Sequence, residues 1–164
     1  MKPYILDSNF FIQAHRATYP FDVVPSFWNK IKDLADQGLI LSIDKVKDEI
    51  FKNDDALSQW CEQNLPPQFF NDSSISIAEY ASIVDWANSK SDHYTQKAIQ
   101  DFMETDSADA WIISSALNQG LPILSHEKSE PERKNRIKIP DVCDAFGISY
   151  YTTVEMLRNL NVTI

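Results

Sequence analysis

Four carboxylates set the chemistry open to this chain: Asp7, Glu49, Asp109 and Glu127. Each ends an apolar, strand-like run or rides on a short amphipathic helical stretch. One carboxylate says little. Four that a chain-reversing α/β fold can gather at one edge of a parallel sheet make a site for a hard divalent cation such as Mg²⁺ or Mn²⁺. Without an ion they would repel one another and some would stay protonated. With no Cys or His ligand set beside them, the chemistry that needs such a site is phosphodiester hydrolysis by a metal-activated water.

Each residue also has a plainer explanation. Asp7 follows Tyr4-Ile5-Leu6 at a strand-to-helix junction, where Asp is a good helix cap, although Ser8 and Asn9 would cap as well. Glu49 has Lys45 four residues before it, the spacing of a solvent-exposed helix pair. Val46 and Ile50 mark that helix's apolar face, and Glu49 borders the face while Asp48 points further away. Asp106 and Asp109 lie about one turn apart on one side of a helix start; capping and the helix dipole account for Asp106. Asp109, flanked by Ala108 and Ala110, is a charge at the edge of a buried stripe, which calls for a partner or a metal. Glu127 is otherwise one more charge in a charged loop. Lys128, Arg133, Lys134, Arg136 and Lys138 follow it, either as a basic lip that binds RNA or as an ordinary solvated loop.

The elements that must position these groups alternate. Apolar runs at 4–6, 39–43, 122–124, 137–139 and 148–151 read as five strands. Helical spacing is seen from 27 to 35, ending at Gly38, and after Asp44, which can cap the next helix. Further helices are expected over 54–64, 76–88, 94–104, 106–118, 140–146 and from Thr152 to Leu160, so the middle of the chain, 54–104, reads as all-helical. Strands alternating with helices imply an α/β fold: a mostly parallel sheet with right-handed crossovers and helices on both faces. Sites in such sheets form beyond the carboxyl ends of the strands, which is where Asp7 and Glu127 fall.

The 164 residues, 43% of them hydrophobic, fit a single domain spanning 1–164. No apolar run approaches the roughly 18 residues of a membrane span, and no basic-then-apolar leader opens the chain, so a cytoplasmic protein with no membrane partner is expected. Cys61 and Cys143 match no metal spacing and read as reduced, partly buried thiols; His15, His93 and His126 are scattered and make no zinc pattern. The net charge of −9 works against a nucleic-acid enzyme, because phosphate binding normally shows as a basic surface. Bound metal and the local basic run both soften that objection. The 4 Trp, 6 Tyr and 9 Phe exceed what a small core strictly needs, although Trp28, Trp60, Trp86 and Trp111 all fall in helical stretches.

Taken in order, Leu6-Asp7-Ser8-Asn9, Glu49-Ile50, Ala108-Asp109-Ala110-Trp111-Ile112-Ile113 and Leu124-Ser125-His126-Glu127 resemble the PIN-domain family, in particular the VapC-like toxin ribonucleases of bacterial toxin–antitoxin pairs. The likeness spans nearly the whole chain, and its most specific part is the helix from Asp109 to Ala116 followed by Pro-Ile-Leu-Ser. The resemblance implies a Rossmann-like three-layer α/β/α fold and a metal-dependent endoribonuclease. It places Asp7, Glu49 and Asp109 in the acidic triad. Glu127 stands where the family often has Asp in a Thr-x-Asp turn, so Ser-x-Glu is a departure. On this reading Asp7 and Asp109 bind Mg²⁺ or Mn²⁺ directly, with Glu127 a further candidate ligand. Glu49 and Glu127 act through water or orient the nucleophile, Asn9 and Ser125 hold metal-bound water, and Asp106 belongs to an outer shell. The implied partners are an RNA substrate and a cognate antitoxin that covers the cleft; a homodimer is a further candidate. Two rivals remain. A haloacid-dehalogenase-like phosphatase needs a second Asp where Asn9 stands. A PIN-like module that binds RNA or protein without cutting would bind no metal.

Overall fold

The computed structural model describes residues 2–104 and 107–164, so Asp106 lies outside the described residues. Five strands form one sheet: β1 (Tyr4–Leu6), β2 (Ile40–Ile43), β3 (Phe70–Asn71), β4 (Ile123–Leu124) and β5 (Tyr150–Tyr151). Their order is β3-β2-β1-β4-β5, and every pairing is parallel. Ile5 of the central strand stands opposite both Leu41 and Ile123, which sets the register on its two sides. All three residues of β1 are buried although successive side chains point to opposite faces, so both faces of the sheet are covered. The expected fold class is what the structure shows: a parallel sheet flanked by helices.

The chain leaves β1 into α1 (Ser8–Gln13), which runs on as a π-helical turn, Ala14–Thr18, before α2 (Pro25–Asp36). β2 leads to α3 (Asp44–Phe51) and α4 (Ala56–Asn64); β3 leads through a 3₁₀ turn, Ser73–Ser76, to α5 (Ile77–Ser89), α6 (Gln96–Met103) and α7 (Ala108–Gln119). α8 (Ile139–Phe146) joins β4 to β5, and α9 (Thr153–Asn159) ends the fold. α2 buries the stripe Phe27, Trp28, Ile31, Leu34 and Ala35 that its sequence spacing announces. α7 is buried nearly all round, from Ala108 and Ala110 to Ala116. It meets α3, α5, α6, α8, β2 and β4, which is what an apolar, small-residue helix at the centre of a domain does. Within that stretch Asp109 alone is not fully buried. Gly120, at φ 66°, takes the left-handed position that ends α7 and turns the chain toward β4.

Three expectations are corrected. Residues 137–139 are not a strand: Ile139 opens α8, with Pro140 behind it at a position that needs no N–H. Both edges of β4 are already taken by β1 and β5, so Ile137 and Ile139 reach the core from a loop and a helix start. The middle of the chain is not all-helical, because Phe70–Asn71 pairs with Ser42 and Ile43 as the edge strand β3. Asp44 is not the cap of α3, which is Ile43. Its carboxylate instead accepts the Lys45 and Ser73 amides, at 2.9 and 3.3 Å, and ties the segment after β3 to the start of α3.

The tryptophans serve the interior: Trp28 and Trp111 are buried, and Trp60 and Trp86 pack partly buried against the core. Both cysteines are free and buried, and burial pushes each thiol up to about 12. Among the described residues no helix is long and apolar enough to cross a membrane.

One buried hydrogen bond fixes the strand end that carries Asp7. Ser42, fully buried in β2, donates its hydroxyl to the Leu6 carbonyl at 2.6 Å. Ser42→Ala leaves that carbonyl unpaired in the interior, at a cost of about 1–3 kcal/mol. Urea denaturation should show a lower midpoint with an unchanged slope.

Candidate functional site

The strand order reverses at β1: β2 and β3 extend the sheet to one side, β4 and β5 to the other. Beyond the carboxyl ends of β1 and β4 the chain therefore diverges and leaves a crevice. Asp7 follows β1 and Ser125 follows β4, with the Asp7 amide 3.5 Å from the Leu124 carbonyl. Three further segments bring their acids here: Glu49 from α3, Asp109 from the first turn of α7, and Glu127 from the loop after β4.

Asp7 is 2% exposed. Its Oδ1 caps α1 by accepting the Phe10 amide at 2.9 Å, so capping and a site role coexist in one side chain. Its Oδ2 is buried and has no hydrogen-bond partner. Burial pushes the carboxyl up to about 7. The Phe10 amide and the nearby Ser125 hydroxyl pull it down; the Asp109 and Glu127 carboxylates push it further up. Asp109 is likewise raised to about 7, first by burial and then by Glu127 and Glu49, against the positive charges of Arg136 and Lys138. Four acids from four segments thus feel one another at the crevice.

Their oxygens are not equally available. Glu49 accepts the Ser8 hydroxyl at 2.5 Å on one oxygen and the Ala108 amide at 3.1 Å on the other, so it joins the first residues of α1 and α7. Asp48 beside it is exposed. Glu127, whose side chain is 6% exposed, accepts Arg136 Nη2 at 2.6 Å and the Ile139 amide at 2.8 Å. That leaves Asp7 Oδ2 and the Asp109 carboxylate as the open donors. Among the described residues, no group of three or more His, Cys, Asp or Glu side chains is placed to hold a metal ion.

Two clefts meet at Arg136. One, about 330 Å³, is lined by Asp109, Ser107, Asp101, Phe102 and Asn135 together with Arg136. The other, about 320 Å³, is lined by Asn9, His126, Glu127, Lys128 and Lys138 together with Arg136. A cleft of about 350 Å³ at the opposite ends of β4 and β5, beside Lys2, Gly120 and Ile148, has no acidic lining.

Ser125, 3% exposed, accepts the Glu127 amide at 3.2 Å and so shapes the turn that presents Glu127. The basic run is largely paired with its own loop: Arg136 to Glu127, and Arg133 and Lys138 to Glu130. Lys128 lines the second cleft, while Lys134 uses its carbonyl to accept the Thr95 amide at 2.9 Å.

Several contributors gave no sign in the sequence. Asp141 is buried and accepts the Ser129 hydroxyl at 2.6 Å and the Glu130 amide at 3.1 Å, which pins the loop to α8. His126 sits 3.0 Å from the Thr153 hydroxyl and borders the second cleft, and burial lowers its pKa. Ser8 could have been suspected only from its place beside Asp7.

A family model for a domain of unknown function, DUF4411, matches residues 4–164. The chain belongs to the DUF4411 family. No curated protein and no solved structure matches it. What can be said of this DUF4411 site therefore rests on its own atoms, and they describe a buried, electron-rich crevice with one carboxylate oxygen left bare.

That arrangement has a measurable cost. Folding raises Asp7 from 3.8 to about 7, so between those values the unfolded chain releases a proton that the folded chain keeps. Metal-free stability from this group is complete below pH 4, falls as pH rises toward 7, and is level above it. Asp7→Asn keeps a capping oxygen and removes the titration. In metal-free buffer at pH 8 it should melt roughly 5–15 °C above the wild type, with the gap closing toward pH 4. A gap that does not change with pH would refute the assignment of the slope to Asp7.

Proposed function

We propose that the chain is a metal-dependent endoribonuclease that hydrolyses RNA phosphodiester bonds, and that it is the toxin of a bacterial toxin–antitoxin pair. The observation that carries the first part is the bare, buried Asp7 oxygen beside Asp109 at the switch point of a parallel sheet. An unpaired acceptor in the interior is unfavourable, and a cation relieves it together with the repulsion among the acids. The second part is supported by the order of the motifs around Asp7, Glu49, Asp109 and Glu127, which resembles that of the PIN-domain toxins.

The donors fit Mg²⁺ or Mn²⁺. All are hard oxygens, and two open carboxylates with the remaining positions left to water is a habitual Mg²⁺ arrangement. Asp7 and Asp109 would hold the ion. A divalent ion there supplies positive charge against the phosphate and lowers the pKa of water so that it can attack. Glu49 and Glu127 keep the helix starts of α7 and α8 in place through the Ala108 and Ile139 amides and set the negative field of the crevice. Asn9 lines the second cleft and the Ser125 hydroxyl lies near Asp7, so both are hydrogen-bonding groups close to the acids. Lys128, Arg136 and Lys138 offer the strand a local positive wall on a chain whose net charge is −9. An antitoxin segment covering the crevice would meet the same groups.

A PIN-like module that binds without cutting is the second reading. The pairing of Glu127 with Arg136 and the lack of a three-ligand group among the described residues favour it.

Two measurements separate them. A gel assay on single-stranded RNA with Mg²⁺ or Mn²⁺ should show cleavage by the wild type and a loss of at least about 100-fold in Asp7→Asn and Asp109→Asn, since even outer-shell partners of metal ligands are worth about 10–100-fold. Mn²⁺ should raise the melting temperature of the wild type and leave Asp7→Asn unmoved. A wild type that neither cuts RNA nor responds to Mn²⁺ is the binding module.

A further inference from the structure

Arg136 holds a position that no other cation of the loop shares. It walls both clefts, the one that contains Asp109 and the one that contains Glu127, Asn9 and His126. Its guanidinium donates Nη2 to Glu127, and its charge reaches Asp109 as well. The acid it pairs with is buried, at 6% side-chain exposure, but Arg136 itself is 48% exposed. An arginine has five N–H donors in a rigid fork, and one of them is engaged by Glu127.

The pair is not what holds the loop. Glu127 is independently fixed by the Ile139 amide on its other oxygen and by its own amide on the Ser125 hydroxyl. Asp141 pins the loop at Ser129 and Glu130, and the Thr95 amide pins it at the Lys134 carbonyl. None of these contacts uses the Arg136 side chain. Of its neighbours in the basic run, Arg133 bonds Glu130 and Asn135, while Lys138, which lies by Glu130, lines the second cleft but not the first and adds its charge at Asp109.

We infer that Arg136 is the resident counter-ion of the acidic crevice and changes partner during binding: a divalent cation displaces its charge from the carboxylates, and its fork takes a phosphate of the RNA backbone. A divalent ion brings two charges to acids that Arg136 serves with one, and a planar guanidinium matches phosphate with two parallel hydrogen bonds. Arg136 is therefore a positioning residue for a phosphodiester strand running from one cleft to the other. The inference rests on the nuclease reading, and its test is chosen so that the two can fail separately.

The test is binding, not turnover. Calorimetric titration of Mn²⁺ into the full chain should show Arg136→Gln taking the ion at least about fivefold more tightly than wild type, because a competing positive charge is gone. Fluorescence anisotropy with a labelled single-stranded oligoribonucleotide, in Ca²⁺ so that binding is read without turnover, should show the same variant binding about tenfold more weakly. The slope of log affinity against log salt should shrink by about 0.7, the contribution of one phosphate contact on a single strand. A merely structural Arg136 would change neither the Mn²⁺ affinity upward nor the salt slope. Arg136→Lys covers the case in which the glutamine variant does not fold. It keeps the charge, so Mn²⁺ affinity should stay within about twofold, while RNA affinity still falls because an ammonium lacks the fork. Mn²⁺ binding to Arg136→Gln that is unchanged or weaker overturns the exchange, as does a lysine variant that binds RNA like wild type. No Mn²⁺ uptake by wild type or variant overturns the metal reading itself, and this inference with it.

Discussion

Like charges held out of water at the reversal point of the sheet constrain the rest of this molecule. Asp7 and Asp109 arrive from segments remote in the chain, and burial together with repulsion from neighbouring acids raises both carboxyls to about 7. A fold tolerates such a cost only where surrounding structure over-determines it. Here β1 is locked between β2 and β4, α7 is enclosed by several elements, and Glu49 bridges the start of α1, just beyond β1, to the start of α7. The surrounding cations come from one loop, which is itself anchored by a buried aspartate. The polar parts of the structure thus serve a site that its apolar parts alone would not create.

Much of this frame was legible because local signals agreed with the global fold. The apolar run before Asp7 ends abruptly at Asp-Ser-Asn, which marks both the central strand and the crevice. Val46 and Ile50 orient α3 well enough to set Glu49 apart from Asp48. The alanines on either side of Asp109 betray a buried helix that carries a charge. What stayed hidden depends on contacts between segments without a period. A two-residue edge strand such as β3 is stabilised by its neighbour, not by its own composition. Residues 137–139 alternate like a strand because two isoleucines must reach the core, and only the pairing of β4 with both β1 and β5 shows that the preceding strand has no ladder open to them. The partner of Glu127 lies nine residues on, inside a charged loop, where no spacing rule selects Arg136 over the other cations.

The acidic balance of the chain also takes on a different meaning at the level of the site. A net charge of −9 argues against nucleic-acid binding when it is averaged over the surface. The loop after β4 places Lys128, Arg136 and Lys138 around one cleft, and over a Debye length of about 10 Å at ordinary salt it is the local arrangement that a phosphate meets. The distribution of charge, not its sum, decides what this face can attract.

The two hydrogen bonds that Glu49 accepts have a wider consequence. Its two oxygens fasten the opening residues of two helices that are remote in sequence, while the same negative charge pushes up the Asp109 carboxyl. One side chain both fastens the helices and sets the local field. Any sequence that keeps this fold needs something at residue 49 to hold those helix starts together, so an acid there reports on architecture before it reports on chemistry.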